Sequence, residues 1–368
     1  VTPAEALARL RLARTDGIGP MTFRRLLERC RTAEAALEAL PALSARRAMP
    51  FRPPAAAAVV AREMEEVDGM GGRFLFWGEE GYPPLLALLD DPPIALAVIG
   101  DAGLLLARQA AVVGARNAST LGRRLAGELA ESLAAAGLVV TSGLARGIDG
   151  AAHLGALRIG PTVAVIPGGL DRAYPPEHTE LQSVIAERGA VVAEAPLGTA
   201  PIARHFPRRN RIIAGLSLGV VVVEAALRSG TLMTANLALE AGREVFAVPG
   251  SPLDPRCAGS NDLLRQGAHL TERAADVLEH LPTAPRVAPP VRRAAPGPMP
   301  AALAPLGTLP QAADQLLDLI GSSPVTVDEL VRACHLSSAA VQAALLELEL
   351  DGRVETLPGN RVVRSGLR

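Results

Sequence analysis

The chain contains no lysine; all 37 of its basic residues are arginine. Against 38 acidic residues they leave a formal net charge of −1. That balance excludes a globally basic nucleic-acid binder but not a local basic patch. The lack of lysine, alongside abundant Ala, Pro and Gly, reflects base composition, so arginine richness carries no signal by itself. Aromatics are also scarce, with one Trp, two Tyr and six Phe, so the core must be made of Ala, Leu and Val. The three cysteines (Cys30, Cys257, Cys334) are far apart and form no paired spacing. They point to a reducing compartment and no zinc site. No charged-then-apolar leader is present, and no apolar run reaches the roughly 18 residues that a bilayer span needs. A soluble cytoplasmic protein with no membrane partner is expected.

Four regions follow from the pattern: an N-terminal helical module (1–78), an α/β domain (79–281), a linker (282–310) and a small C-terminal unit (311–368). In the first, apolar residues at helical spacing run from Ala4 to Arg14, Gly17-Ile18-Gly19-Pro20 breaks the chain, and a second helix covers Phe23 to Cys30. A Gly-x-Gly turn between short helices resembles the helix-hairpin-helix or sterile-alpha-motif module, although a plain tight turn fits equally. A further helix is expected over 51–70 and an extended strand over Arg73 to Gly78.

From residue 110 apolar strands alternate with helices. The strands are Ala110–Gly114, Leu138–Ser142, Thr162–Pro167, Ala190–Glu194, Val220–Glu224 and Glu244–Pro249. Near-continuous apolar strands are those of a parallel sheet covered on both faces, so the fold class is α/β, an extended Rossmann-like doubly wound sheet. The nine prolines of 282–310 read as a linker. Three helices (311–321, 327–334, 338–350) and a hairpin over Arg353–Val363, turning at Pro358-Gly359-Asn360, describe a winged helix.

Ligands of open parallel sheets bind outside the carboxyl ends of the strands. Those ends here are Gly114-Ala115-Arg116-Asn117, Ser142-Gly143, Gly147-Ile148-Asp149, Pro167-Gly168-Gly169, the segment after Glu194, and Ser229-Gly230-Thr231. Glycine lets backbone amides approach a ligand, and Ser229-Gly230-Thr231 opens a helix whose dipole favours an anion. Arg204, Arg208, Arg209 and Arg211 fall within eight residues that also hold His205, Phe206 and Asn210. Cations at a helix start oppose the macrodipole unless an anion or carboxylate offsets them. Basic groups tracking a backbone beside an aromatic that stacks a base is the arrangement of single-strand binding. Tyr174 is a second stacking candidate, or a structural tyrosine. Asp149 and His153, four apart on one helix face, read more readily as a structural pair than as a general base, and Glu194 and Glu224 end strands within reach of Arg208–Arg211. The Gly-x-Gly-x-x-Gly fingerprint is absent after the first strand, so no dinucleotide cofactor is expected, nor any other cofactor or metal.

The strings VVGARNAS (112–119), TSGLARGIDGAAHLGAL (141–157), PGGLDRAYPPEH (167–178), FPRRNRIIAGLS (206–217), VVVEAALRSGTLMTANLALEAGREVFAVPG (221–250) and GSNDLLRQGA (259–268), with the entry motif GYPPLLALLDDPP (81–93), resemble the DNA-processing protein A (DprA/Smf) family. The resemblance implies a single-stranded DNA-binding protein of natural transformation and recombination. It would protect incoming strands, help load a RecA-type recombinase, form a homodimer through the Rossmann-like domain, and have no catalytic activity. Carried onto this chain, the family's DNA site is Arg116, Gly168, Gly169, Phe206, Arg208, Arg209, Asn210, Arg211, Ser229, Gly230 and Thr231, with Arg172 added as the contact from PGGLDRAYPPEH. The rival reading is a phosphoribohydrolase-like nucleotide-processing enzyme in which Glu224 works with Gly230-Thr231, and a third is a scaffold. The third helix of the winged-helix unit (SSAAVQAALLELEL, 337–350) has no arginine and two glutamates, so major-groove readout is not expected of it. A protein contact fits better, or an auxiliary double-stranded DNA contact through Arg353, Arg361, Arg364 and Arg368.

Overall fold

The computed structural model describes residues 2–45, 53–282, 309–321, 323–334, 336, 338–350, 353–357 and 361–364. Most of the Pro-rich segment 282–310, the turn Pro358-Gly359-Asn360 and Arg368 lie outside these residues. The chain divides into two units, one of Arg62–Arg286 and one that combines Val1–Ala61 with Val287–Arg368.

Four helices begin the chain: α1 (Pro3–Ala13), α2 (Pro20–Cys30), α3 (Ala33–Ala45) and α4 (Ala57–Gly69). Thr2 caps α1 by accepting from the Glu5 amide, and proline fills the first helical position of both α1 and α2. The Glu5 carboxylate accepts from the amide of Ala33 at 2.9 Å, so the first helix caps the third. The large unit then carries β1 (Gly72–Phe76), α5 (Pro84–Ala87), β2 (Ala95–Gly100), β3 (Gln109–Val113), α6 (Thr120–Ala135), β4 (Val139–Ser142), α7 (Ile148–Ala156) and β5 (Thr162–Ile166). It continues with α8 (Thr179–Arg188), β6 (Ala190–Ala193), α9 (His205–Leu216), β7 (Gly219–Val222), α10 (Gly230–Glu240), β8 (Glu244–Ala247), α11 (Ala258–Arg265), β9 (His269–Leu270) and α12 (Ala274–His280).

These strands form one nine-stranded sheet in the order β1-β2-β6-β5-β4-β3-β7-β8-β9. From β6 to β9 every pairing is parallel, whereas β2 and β1 add antiparallel at one edge. Successive valines of β7 show why both faces are closed. Val220 and Val222 pack with Ile212, Ile213 and Ala235 of α9 and α10. Val221 and Val223 pack with Leu129 and Leu133 of α6 and Ile148 of α7. Alternation across the pleat thus sends apolar mass both ways, and each buried valine contributes roughly 1.5–3 kcal/mol.

Two features depart from the sequence reading. The strand at 72–76, assigned above to the N-terminal module ending at 78, is the edge of the large sheet and pairs with β2. The strand β2 has no counterpart in the sequence reading; it runs antiparallel to β6, and only a short 3₁₀ helix (Ala102–Leu106) separates it from β3.

The second unit closes with α13 (Leu309–Leu319), β10 (Val325–Thr326), α14 (Val327–Cys334), α15 (Ser338–Leu350), β11 (Val354–Leu357) and β12 (Arg361–Arg364). Its sheet runs β10-β12-β11 over a core that includes Leu316, Leu330, Leu345 and Val362, a winged helix. Here α2 meets α15. Arg25, 5% exposed, donates to Gln342 at 3.0 Å and to Glu349 at 3.2 Å. Among the described residues no helix is long and apolar enough to cross a membrane.

Candidate nucleic-acid interface

Chain order runs outward from β3 through β4 and β5 to β6, then returns to β7 on the other side of β3. The carboxyl ends of β3 and β7 are therefore the switch point, where the loops of an open sheet part to leave a crevice. The loop after β3 is tied from both sides. The Thr231 hydroxyl donates to the Gly114 carbonyl at 3.0 Å, and the Ile148 amide donates to Ala115. Gly147 makes the second tie possible: its φ is +78°, and a Cβ there would lie 2.3 Å from the Ala115 carbonyl oxygen.

Arg116 leaves this tied loop exposed to solvent, with its guanidinium 4.3 Å above the Phe206 ring at the start of α9. Among the described residues it has no ion-pair partner. Tyr174 meets the same ring edge-on, with centroids 5.6 Å apart and planes at 66°. A cation on an aromatic face and an edge-on second ring are both attractive geometries. Arg116, Asn117, Ala145, Arg146, Tyr174 and Pro175 line a cavity of 270 Å³ beside them.

Beneath the ring lies Arg209, only 5% exposed, 5.9 Å from the Phe206 centroid. Burial pushes it down to about 10, with the Asp149 carboxylate opposing that shift, so it stays charged at neutral pH. Gly143 leaves the room it needs, since a Cβ there would lie 1.4 Å from an Arg209 nitrogen. Asp149 accepts from the Ala145 amide at 3.3 Å, so it holds the turn after β4 while facing Arg209.

The remaining sequence candidates divide. Arg208 is exposed and 3.9 Å from Glu194. Arg172 is exposed and pairs with its neighbour Asp171 at 3.2 Å. Gly230 opens α10 in free space, and Ser229 precedes it. Asn210 is buried and donates to the Gly230 carbonyl at 3.3 Å, joining the starts of α9 and α10. Gly168 and Gly169 do not face outward: added Cβ atoms would meet Thr199 at 2.8 Å and Pro196 at 2.5 Å, and the Gly169 amide already donates to Thr199. These two glycines make room for the chain's own segment after β6.

Arg211 is likewise engaged within the protein. It donates to the Asp91 carbonyl at 2.7 Å and to Glu194 at 2.6 Å, with its side chain 9% exposed. Desolvation acts to lower its pKa, and Glu194 and Asp91 more than reverse that, holding it above the usual arginine value. It clamps the entry motif 81–93, whose Tyr82 hydroxyl donates to Pro93 at 2.7 Å. One cavity residue was missed, Arg146. It stands in the turn after β4, where the strand-end rule alone would have found it.

The acid–base candidates are occupied. The Glu224 carboxylate accepts from the Ser119 amide at 2.9 Å and its hydroxyl at 2.5 Å, at the N-cap of α6. His153 does not pair with Asp149. Its Nδ1 meets the Thr162 hydroxyl at 2.8 Å, and burial, then the charges of His178 and Arg209, push it to about 3. Among the described residues no group of three or more His, Cys, Asp or Glu is placed to hold a metal ion.

A Rossmann-like sheet whose switch point carries an arginine–aromatic rim, accompanied by a helical module and a winged helix, defines the class of protein. Residues 73–282 match the DNA recombination-mediator protein A family, 298–360 the DprA winged helix domain, and 3–65 the DprA-like N-terminal HHH domain. The chain belongs to the DNA recombination-mediator protein A (DprA/Smf) family. It is 43% identical over 294 residues to Protein Smf of Escherichia coli, covering 77% of this chain and 75% of that one. It is 44% identical over 203 residues to the DNA processing protein DprA of Bacillus subtilis, covering 55% and 68%. The X-ray structure of DNA processing protein A from Streptococcus pneumoniae superposes with a TM-score of 0.65 at 32% identity, covering 77% of this chain and 99% of that one. The Helicobacter pylori protein, whose structure concerns its single-stranded DNA binding mode, gives a TM-score of 0.51 at 30% identity over 56% and 94%.

Proposed function

We propose that this chain binds single-stranded DNA without sequence preference, as a non-enzymatic mediator of natural transformation and recombination. It protects incoming strands and helps load a RecA-type recombinase, acting as a homodimer through its Rossmann-like domain in the cytoplasm. Arg116 carries the reading: an exposed cation with no ion-pair partner among the described residues, seated on Phe206 at the switch point. A guanidinium in that position attracts phosphate, and the adjacent rings offer faces on which any base can stack. Around it Phe206, Arg208, Arg172 and the Ser229-Gly230-Thr231 helix start supply further contacts. Arg209 and Asn210 act from behind by positioning Phe206 and the start of α10. Membership in a family with a relative described by its single-stranded DNA binding mode supports the same ligand.

Fluorescence anisotropy with labelled oligo-dT and with a duplex of equal length tests the reading. Arg116→Glu should weaken single-strand binding at least about tenfold, because it replaces a phosphate contact by a repulsion, and leave the melting temperature unchanged. Phe206→Ala should weaken it by a similar factor with less change in salt dependence, since stacking releases no counterion. Undiminished affinity in both variants would place the DNA elsewhere.

A further inference from the structure

The exposed arginines around the rim differ in one respect. Arg172 is beside Asp171 and Arg208 beside Glu194, while Arg146, which lines the cavity with Arg116, is paired with Glu177. The last pair spans two loops. Arg146 belongs to the turn after β4, and Glu177 to the short 3₁₀ turn Pro176–His178 that precedes α8. A second bond holds those loops in register, because His178 Nδ1 meets the Leu144 carbonyl at 2.9 Å, two residues from Arg146. The carboxylate is therefore fixed opposite the guanidinium, while both side chains stay solvated, at 63% and 45% exposure. An ion pair so exposed is weak, and a phosphate offers the same planar fork of donors an equivalent acceptor.

We propose that Arg146 is a phosphate ligand held in reserve, with Glu177 occupying its place until a strand arrives. The inference rests on the single-strand reading above. Binding is then an exchange: the guanidinium passes from carboxylate to phosphate, and Glu177 returns to water. The exchange lowers the affinity of the free rim for stray anions and makes release easier. It also keeps the guanidinium from collapsing onto another surface carboxylate.

A double-mutant cycle with Arg146→Gln and Glu177→Gln on the full chain, read by oligo-dT anisotropy over a salt series, tests this. Glu177→Gln should tighten binding by roughly two- to fivefold, the range of an exposed ion pair. Arg146→Gln should weaken binding and reduce the salt slope by about 0.7, the value for one phosphate contact on a single strand. In the Arg146→Gln background the gain from Glu177→Gln should nearly vanish, because the carboxylate no longer occupies a ligand. An equal gain in both backgrounds would make Glu177 a merely repelling charge and overturn the proposal, as would an Arg146→Gln variant with unchanged affinity and slope. Absence of oligo-dT binding by the unmutated protein would instead refute the functional reading on which the proposal stands.

Discussion

Arg116 at the rim and Arg25 in α2 both sit on elements that a DNA-binding argument singles out, and they are used in opposite ways. Arg116 is exposed, rests on an aromatic face, and has no acid partner among the described residues. Arg25 is buried and hydrogen-bonded to Gln342 and Glu349 of α15, the helix that would read a groove in a winged helix. Gln342 is the one amide side chain of that helix, and its carbonyl is already engaged inside the protein. In this chain, then, exposure and aromatic support mark the arginine we propose as the ligand contact, and burial beside a carboxylate marks the arginine that holds the fold. Arg211 shows that position on the rim is not enough, since it lies two residues from Arg209 on α9 and still belongs with Arg25.

Three perturbations probe this division. The largest effect is expected at Arg211. Its replacement by alanine leaves Glu194 and the entry motif's Asp91 without their cation and should destabilise the large unit by up to about 3–5 kcal/mol, the range for breaking a buried pair. Chemical denaturation measures it; an Arg211→Ala protein of native stability but impaired binding would move this residue back to the ligand side. Next is acid sensitivity through His153. A buried neutral imidazole whose folded value is about 3, against an ordinary 6.5, contributes stability that is complete above 6.5 and lost as pH falls toward 3. At pH 5 the loss should be about 2 kcal/mol. A His153→Gln variant should show a correspondingly flatter fall in melting temperature between pH 6.5 and 5, and parallel curves would assign the acid sensitivity to other groups. The smallest effect on ligand affinity is expected at Arg25. Arg25→Ala removes two charge-assisted hydrogen bonds, each worth about 1.5–3 kcal/mol, from the smaller unit. It should raise amide exchange in α15 while oligo-dT affinity stays unchanged, and altered affinity would erase the contrast between the two regions.

Periodicity and strand-end reasoning were enough to locate the sheet and its rim, because β3 to β8 are apolar on both faces and each is followed by a helix. They did not reveal β2, which is followed by only a short 3₁₀ helix, or the meeting of α2 with α15, which joins residues more than 300 apart in sequence. Residue type and place name Arg116 and Phe206 as candidates, and the fold brings the two side chains together. The sequence shows neither that Glu194 and Asp91 converge on Arg211 nor that the segment 196–201 packs against the Gly168-Gly169 turn. Whether a cation is free depends on its partners, and those partners come from other strands.

The ties on the loop after β3, from Thr231 on one side and Ile148 behind Gly147 on the other, bear on the binding we propose. A loop fixed by its own protein has already lost its conformational freedom, so little ordering entropy remains to oppose association. The heat-capacity change on binding should accordingly track the apolar surface buried at the interface, without the excess that accompanies folding coupled to binding.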